Sequence, residues 1–178
     1  MLITEEYRKQ NAQLHAINPN YGPGKNLYIR SIIEVCKELN TTDVLDYGCG
    51  KAKNALSSEF PFKIKLYDPA IPEYAATPEP ADLVLCIAVL EHVEPECLDD
   101  VIKDLYRVTK RFGIFMVGLR EDTTHLPNGK NAHCSLHTVD QWTAKFQRYF
   151  DVAGTEDFKA GKGRWFFVHP RMNLLEMG

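Results

Sequence analysis

No apolar run in this chain approaches the length of a membrane span, so a transmembrane helix is excluded. Met1-Leu2-Ile3 is followed at once by acidic residues, which fits neither a signal peptide nor a transit peptide. There is no Cys-x-x-Cys pair, and the five cysteines (Cys36, Cys49, Cys86, Cys97, Cys134) are odd in number and scattered. A disulfide framework is therefore not expected, and the thiols read as reduced, in a cytoplasmic protein. Charge of one sign is not in excess: the net charge is −3 with both signs interspersed, which removes the basic field that drives non-specific nucleic-acid binding. Repeats and low-complexity tracts are also missing. What remains is 178 residues, 44% of them apolar, enough for one domain with a sizeable core.

Within that domain the densest signal is Val44-Leu45-Asp46-Tyr47-Gly48-Cys49-Gly50-Lys51, a buried strand running into a glycine turn. Gly48 and Gly50 permit positive φ there. The turn is expected to bring backbone N–H groups up to a ligand, with a helix from about Ala52 aiming its N-terminus at the same place. Twenty residues after Gly48, the short strand Lys63–Tyr67 ends in Asp68-Pro69. A carboxylate in that position reads ribose hydroxyls in doubly wound sheets, although Asp-Pro also starts ordinary turns. Ala81 to Ile87 is a continuous apolar run, as a strand buried on both faces should be, and it leads into Leu90-Glu91-His92-Val93.

Taken together, Asp46 to Gly50, Asp68 and the segment Asp82 to Val93 resemble the motifs of class I S-adenosylmethionine-dependent methyltransferases, in the same order. Arg107 to Gly113 resembles the turn before that family's fifth strand, here Ile114 to Leu119. The resemblance implies a Rossmann-like, doubly wound α/β fold with a mostly parallel sheet and a C-terminal antiparallel strand pair, around Asp151 to Gly154 and Arg164 to Val168. It implies S-adenosylmethionine as cofactor, touched by Asp46, Gly48, Cys49, Gly50, Asp68 and Pro69. A dinucleotide enzyme fits less well, since Lys53 stands where Gly-x-Gly-x-x-Gly needs its third glycine.

Two departures from the family pattern matter. Ala52 and Lys51 replace the more usual small residues after the glycine pair. More consequential, the thirteen residues between Asp68 and Asp82 include Pro69, Pro72, Pro78 and Pro80 and leave no room for a strand and a helix. The family's third strand is expected to be deleted, and Cys86 and Ile87, with Ile71, are the candidates for the adenine wall in its place.

The chain before the core reads as a helix over 4 to 16 capped by Thr4, a broken loop over 18 to 24, and a second helix over 26 to 38. Residues 1–40 are thus expected to form a lid and first core helix on the single core of 41–178, with Tyr21 or Lys25 reaching the cofactor. Residues 138 to 149 begin at a Thr cap and set Trp142, Phe146 and Tyr149 one turn apart, an apolar stripe that reads as core.

The loop of 121 to 135 is too long and polar for a mere connector. Its Asn131-Ala132-His133, with Leu14-His15 and Pro19-Asn20-Tyr21-Gly22, resembles a narrower group of short bacterial and phage methyltransferase-like proteins. His133 reads either as a general base or as a histidine in a structural hydrogen bond. Glu91 and His92 are further catalytic candidates, and Asn131 and His15 substrate contacts. A metal site from His133, His137, Cys134 and His125 is not favoured, because the i, i+4 spacing lacks a helix. The expected partner is a small-molecule or nucleotide substrate. A nucleic-acid-directed enzyme and a catalytically silent binding module acting through a partner are the alternatives. The sequence leaves the oligomeric state open.

Overall fold

A computed structural model describes residues 1–17, 28–51 and 60–171. Six strands form one sheet in the order β2-β1-β3-β4-β6-β5, with β1 Val44–Tyr47, β2 Lys65–Tyr67, β3 Ala81–Ile87, β4 Thr109–Gly118, β5 Phe150–Phe158 and β6 Gly163–Pro170. The first four strands of that order are mutually parallel, and β6 lies antiparallel to both β4 and β5. Among the described residues four α-helices accompany the sheet: α1 Glu5–Ile17, α2 Ile29–Glu38, α3 Pro95–Val108 and α4 Val139–Phe146. This is the expected Rossmann-like architecture. Among the described residues, 68–80 contribute no strand, and β2 closes the sheet where the family's third strand would lie.

Strand periodicity sorts the core into two layers. Val84 and Cys86 of β3 face one side, with Phe115, Trp142, Phe146, Phe150 and Phe166. Leu83, Leu85 and Ile87 face the other, with Ile32 and Cys36 of α2. Trp142 and Phe146 are fully buried, as their helical spacing predicts. Thr138 caps α4 through a capping box with Gln141, and the Thr4 hydroxyl accepts the Tyr7 N–H at 3.1 Å to cap α1.

One boundary departs from the sequence reading. Residues 109–113, read as a turn, are the first half of β4. Gly113 stands there because a Cβ would lie 2.8 Å from Val168 Cγ2 and from Phe115 Cζ, so close sheet packing, and not a turn, demands glycine.

Chain direction locates the ligand cleft. From β1 the sheet grows one way to β2 and the other way to β3, so the carboxyl ends of β1 and β3 flank a topological switch point. The loops after β1 and β3 touch there: a Cβ on Gly48 (φ +74°) would fall 2.4 Å from Val89 Cγ2. Ala88, at φ 56°, turns the chain out of β3 to bring Val89 to that position.

Candidate functional site

At the end of β1 the backbone is wired to the end of β2. The N–H groups of Gly48 and Cys49 both donate to the Tyr67 carbonyl, at 2.8 and 3.0 Å. The Gly50 N–H donates to Asp68 Oδ2 at 2.9 Å, and the Ala70 N–H donates to Asp68 Oδ1 at 2.9 Å. The sequence pattern places these turn amides against a ligand; in the structure β2 and the residue after it take all three, because the parallel pairing brings the Tyr67 carbonyl and the Asp68 carboxylate up to the turn. Cys49 is buried, as is Asp46. Asp68, 9% exposed, keeps a second lone-pair site on each oxygen for a further donor.

A cavity opens beside Asp68, lined by Gly48, Pro69, Ala70, Val89 and His92, with Tyr7 and Asn11 of α1 across from them. Helix α1 thus contributes to the lining of this cavity. It is clasped to the core by Thr4, whose N–H and hydroxyl both donate to the Glu94 carboxylate, and by Tyr7 and Leu14 packing on Leu126 of the long loop. His15, expected at the substrate, sits over the glycine turn: a Cβ on Gly50 would lie 3.4 Å from its Cε1. Burial lowers its pKa, with Asp68 opposing and Lys51 adding to the fall.

Cys86 and Ile87 do not serve as expected. They are sealed in the two opposite core layers, since adjacent strand residues face opposite ways, and neither lines this cavity. Tyr21, Lys25 and the helix expected from Ala52 lie outside the described residues.

The second half of the site is built by side chains. Leu90–His92 form a single 3-10 turn after β3, and the loop after β4 folds back on it. Glu91 is 1% exposed; its Oε1 accepts the Gly118 N–H at 2.7 Å, and burial pushes its pKa up to about 6. His92 Nδ1 donates to the Ala132 carbonyl at 2.9 Å, and burial, assisted by His133, pushes its pKa down to about 4. The His92 and His133 rings meet edge to face, centroids 4.6 Å apart. His133 Nδ1 donates to the Arg120 carbonyl at 2.5 Å, and its Nε2 lies 3.8 Å from Asp122 Oδ2. The three residues read separately as catalytic thus form one cluster, and His92 carries it to the wall of the cavity.

Asn131 plays a different part from the one expected. Its Oδ1 accepts the Asp122 and His133 N–H groups at 3.1 and 2.9 Å, and its Nδ2 donates to the Asp122 carbonyl at 2.8 Å. These bonds staple the loop, so Asn131 positions His133. Tyr7, Asn11, Glu94 and Asp122 escape a motif-based reading. Only the Thr4 cap, which fixes where α1 starts, hints at the first three.

The family model described as "Methyltransferase domain" matches residues 20–117. No curated protein sequence matches the chain. Among solved structures, the chain is similar to the 1,6-didemethyltoxoflavin N1-methyltransferase of Burkholderia thailandensis, with bound 1,6-didemethyltoxoflavin and S-adenosylhomocysteine, at 14% identity and a TM-score of 0.61, covering 94% of this chain and 91% of that one. It is also similar to the magnesium protoporphyrin IX methyltransferase of Synechocystis PCC 6803 with bound S-adenosylhomocysteine (13%, TM-score 0.60, 91% and 95% covered). An N-methyltransferase of Bradyrhizobium japonicum in complex with S-adenosylhomocysteine gives 11%, a TM-score of 0.56, and 93% and 97%.

Proposed function

Because the chain belongs to the methyltransferase-domain family, we propose that it is an S-adenosylmethionine-dependent methyltransferase acting on a small molecule or modified nucleotide. The observation that carries this reading is the meeting of two differently built ends in one cavity: Asp68 on one wall and His92, packed on Glu91 and His133, on another. Asp68 fits a ribose, with a buried carboxylate that still has acceptor capacity, and Pro69 and Ala70 extend that wall. Bound there, S-adenosylmethionine supplies a methyl group made electrophilic by its sulfonium.

The protein's own work is positioning and proton handling. Tyr7 and Asn11 close the cavity from α1 and keep water from it. The proton of an acceptor O–H or N–H is dealt with at the cluster, where a carbonyl on Nδ1 leaves the His133 lone pair on Nε2. Asn131 and Gly118 hold that geometry from behind.

Solved neighbours with small-molecule substrates or S-adenosylhomocysteine support the cofactor and the substrate class. A silent binding module draws support from one observation, the full commitment of the glycine-turn amides to β2 and the residue after it. Calorimetric titration with S-adenosylmethionine and S-adenosylhomocysteine separates the readings. Micromolar binding that falls at least about 100-fold in Asp68→Ala, as expected when a charged hydrogen-bonding group is removed, supports the enzyme and justifies an acceptor screen. No binding by either ligand refutes it.

A further inference from the structure

We propose that Glu91, His92 and His133 bind one divalent transition-metal ion at the acceptor end of the cavity. The three residues each offer a donor atom, and these atoms all lie within 4.8 Å of one another. A metal with bonds of roughly 2.0–2.2 Å would need to draw them in by about an ångström, within reach of side-chain rotation. They come from segments far apart in the chain, the turn after β3 and the loop after β4, so local spacing does not account for their convergence.

The histidines share one hydrogen-bonding pattern. Each has its Nδ1 on a backbone carbonyl, Ala132 for His92 and Arg120 for His133. A carbonyl only accepts, so both protons sit on Nδ1 and both lone pairs on Nε2, the tautomer that outer hydrogen bonds impose on metal-bound imidazoles.

The carboxylate supplies an independent observation. Glu91 is 1% exposed, and while Oε1 takes the Gly118 N–H, Oε2 is fully buried and has no hydrogen-bond partner among the described residues. An acceptor in that condition costs stability, and imidazoles in this tautomer bring it no proton. A cation satisfies it. Glycine at 118 also lets the two groups approach: a Cβ there would lie 2.7 Å from His133 Cε1 and 2.9 Å from Glu91 Oε1. Asp122 Oδ2 lies 3.8 Å from His133 Nε2, within range to hold a metal-bound water.

Two imidazoles and one carboxylate suit Zn²⁺, Co²⁺, Mn²⁺ or Fe²⁺ better than Mg²⁺ or Ca²⁺, which prefer all-oxygen sets. Three protein ligands also leave coordination positions open, as in catalytic sites. The ion's role toward an acceptor oxygen rests on the methyltransferase reading, and there His133 serves as a ligand in place of a base. Metal binding itself does not rest on that reading.

The test titrates the metal-stripped, full-length protein with Co²⁺ and follows the visible absorption of the bound ion. One equivalent is expected, displaced by Zn²⁺, with affinity lowered at least about 100-fold in His133→Asn and in Glu91→Gln. Glu91→Gln keeps an acceptor for Gly118, and His133 lies in a loop, so thermal melting of the metal-free variants should match the wild type. No absorption, or equal absorption in wild type and both variants, overturns the proposal. Parallel titration with S-adenosylmethionine keeps the two failures apart. Metal binding without cofactor binding sinks only the enzyme reading, and the reverse sinks only the metal site.

Discussion

The two ends of the cavity are made by different means. The end at Gly48–Gly50 is wired mainly through backbone, with the Tyr67 carbonyl of the neighbouring strand taking two of the turn's amides and the Asp68 carboxylate the third. The end at Glu91 and His133 is wired through side chains, with Asn131, Asp122 and Gly118 holding two histidines and a buried carboxylate. Backbone wiring depends on chain path, so it tolerates sequence change and suits a part that many proteins share. Side-chain wiring depends on residue identity, so it is where an acceptor preference can be written.

Matched glycine substitutions should break this comparison most visibly. Gly48→Ala puts a Cβ 2.4 Å from Val89 Cγ2 at a positive φ; a loss of about 3 kcal/mol in urea unfolding is expected, with cofactor affinity falling in calorimetry. Gly118→Ala puts its Cβ 2.7 Å from His133 Cε1 instead. There, methyl transfer to the acceptor found by screening should fall about 100-fold while cofactor affinity stays within about twofold. Equal damage to both functions by both variants would erase the distinction between the ends.

Asn131→Ala sharpens it on a smaller scale. Three hydrogen bonds are lost, yet all lie within the loop, so hydrogen exchange should show the His133 and Asp122 amides losing protection while the Gly50 amide keeps its own. Unchanged protection at His133 would mean that the loop is held by something other than Asn131.

The smallest effect concerns His15, at the backbone-wired end, facing Asp68 and Lys51. Its folded pKa is depressed mainly by burial, so the unfolded chain takes up the proton first. Stability linked to its neutral form is complete above its ordinary pKa of about 6.5 and is lost as pH falls below it. Denaturation at pH 7.5 and 5.5 should therefore show a shallower pH dependence in His15→Asn than in the wild type. An unchanged slope would assign the acid sensitivity elsewhere.

How far these ends can be read from sequence follows from how each is built. β1, β3 and α4 are legible because a continuous apolar run or a capping box announces them locally. Helix α3 is equally well marked, by Pro95 at its first turn and by Leu98, Val101, Ile102 and Leu105 on one face, though a motif-led reading passes over it. The partners of the turn amides are not legible, since they depend on the register of Tyr47 beside Tyr67. Cys86 and Ile87 mislead because the run that shows a strand to be buried does not say which residue meets the ligand. Glu91, His92 and His133 stand out individually, but their contact is closed by a loop whose path is set by Asn131 side-chain bonds, and no periodicity encodes that.

The bridging carboxylate of Asp68 has a thermodynamic consequence. By holding the Gly50 and Ala70 amides at once, it gives the glycine turn its shape before any ligand arrives. Association at this end therefore pays little conformational entropy and needs no induced fit. S-adenosylmethionine and S-adenosylhomocysteine differ only at the sulfur, so a preorganised turn grips both alike. What distinguishes them must then lie away from the turn, and the clasp of Thr4 on Glu94, which holds α1 at the cavity, is a contact built apart from it.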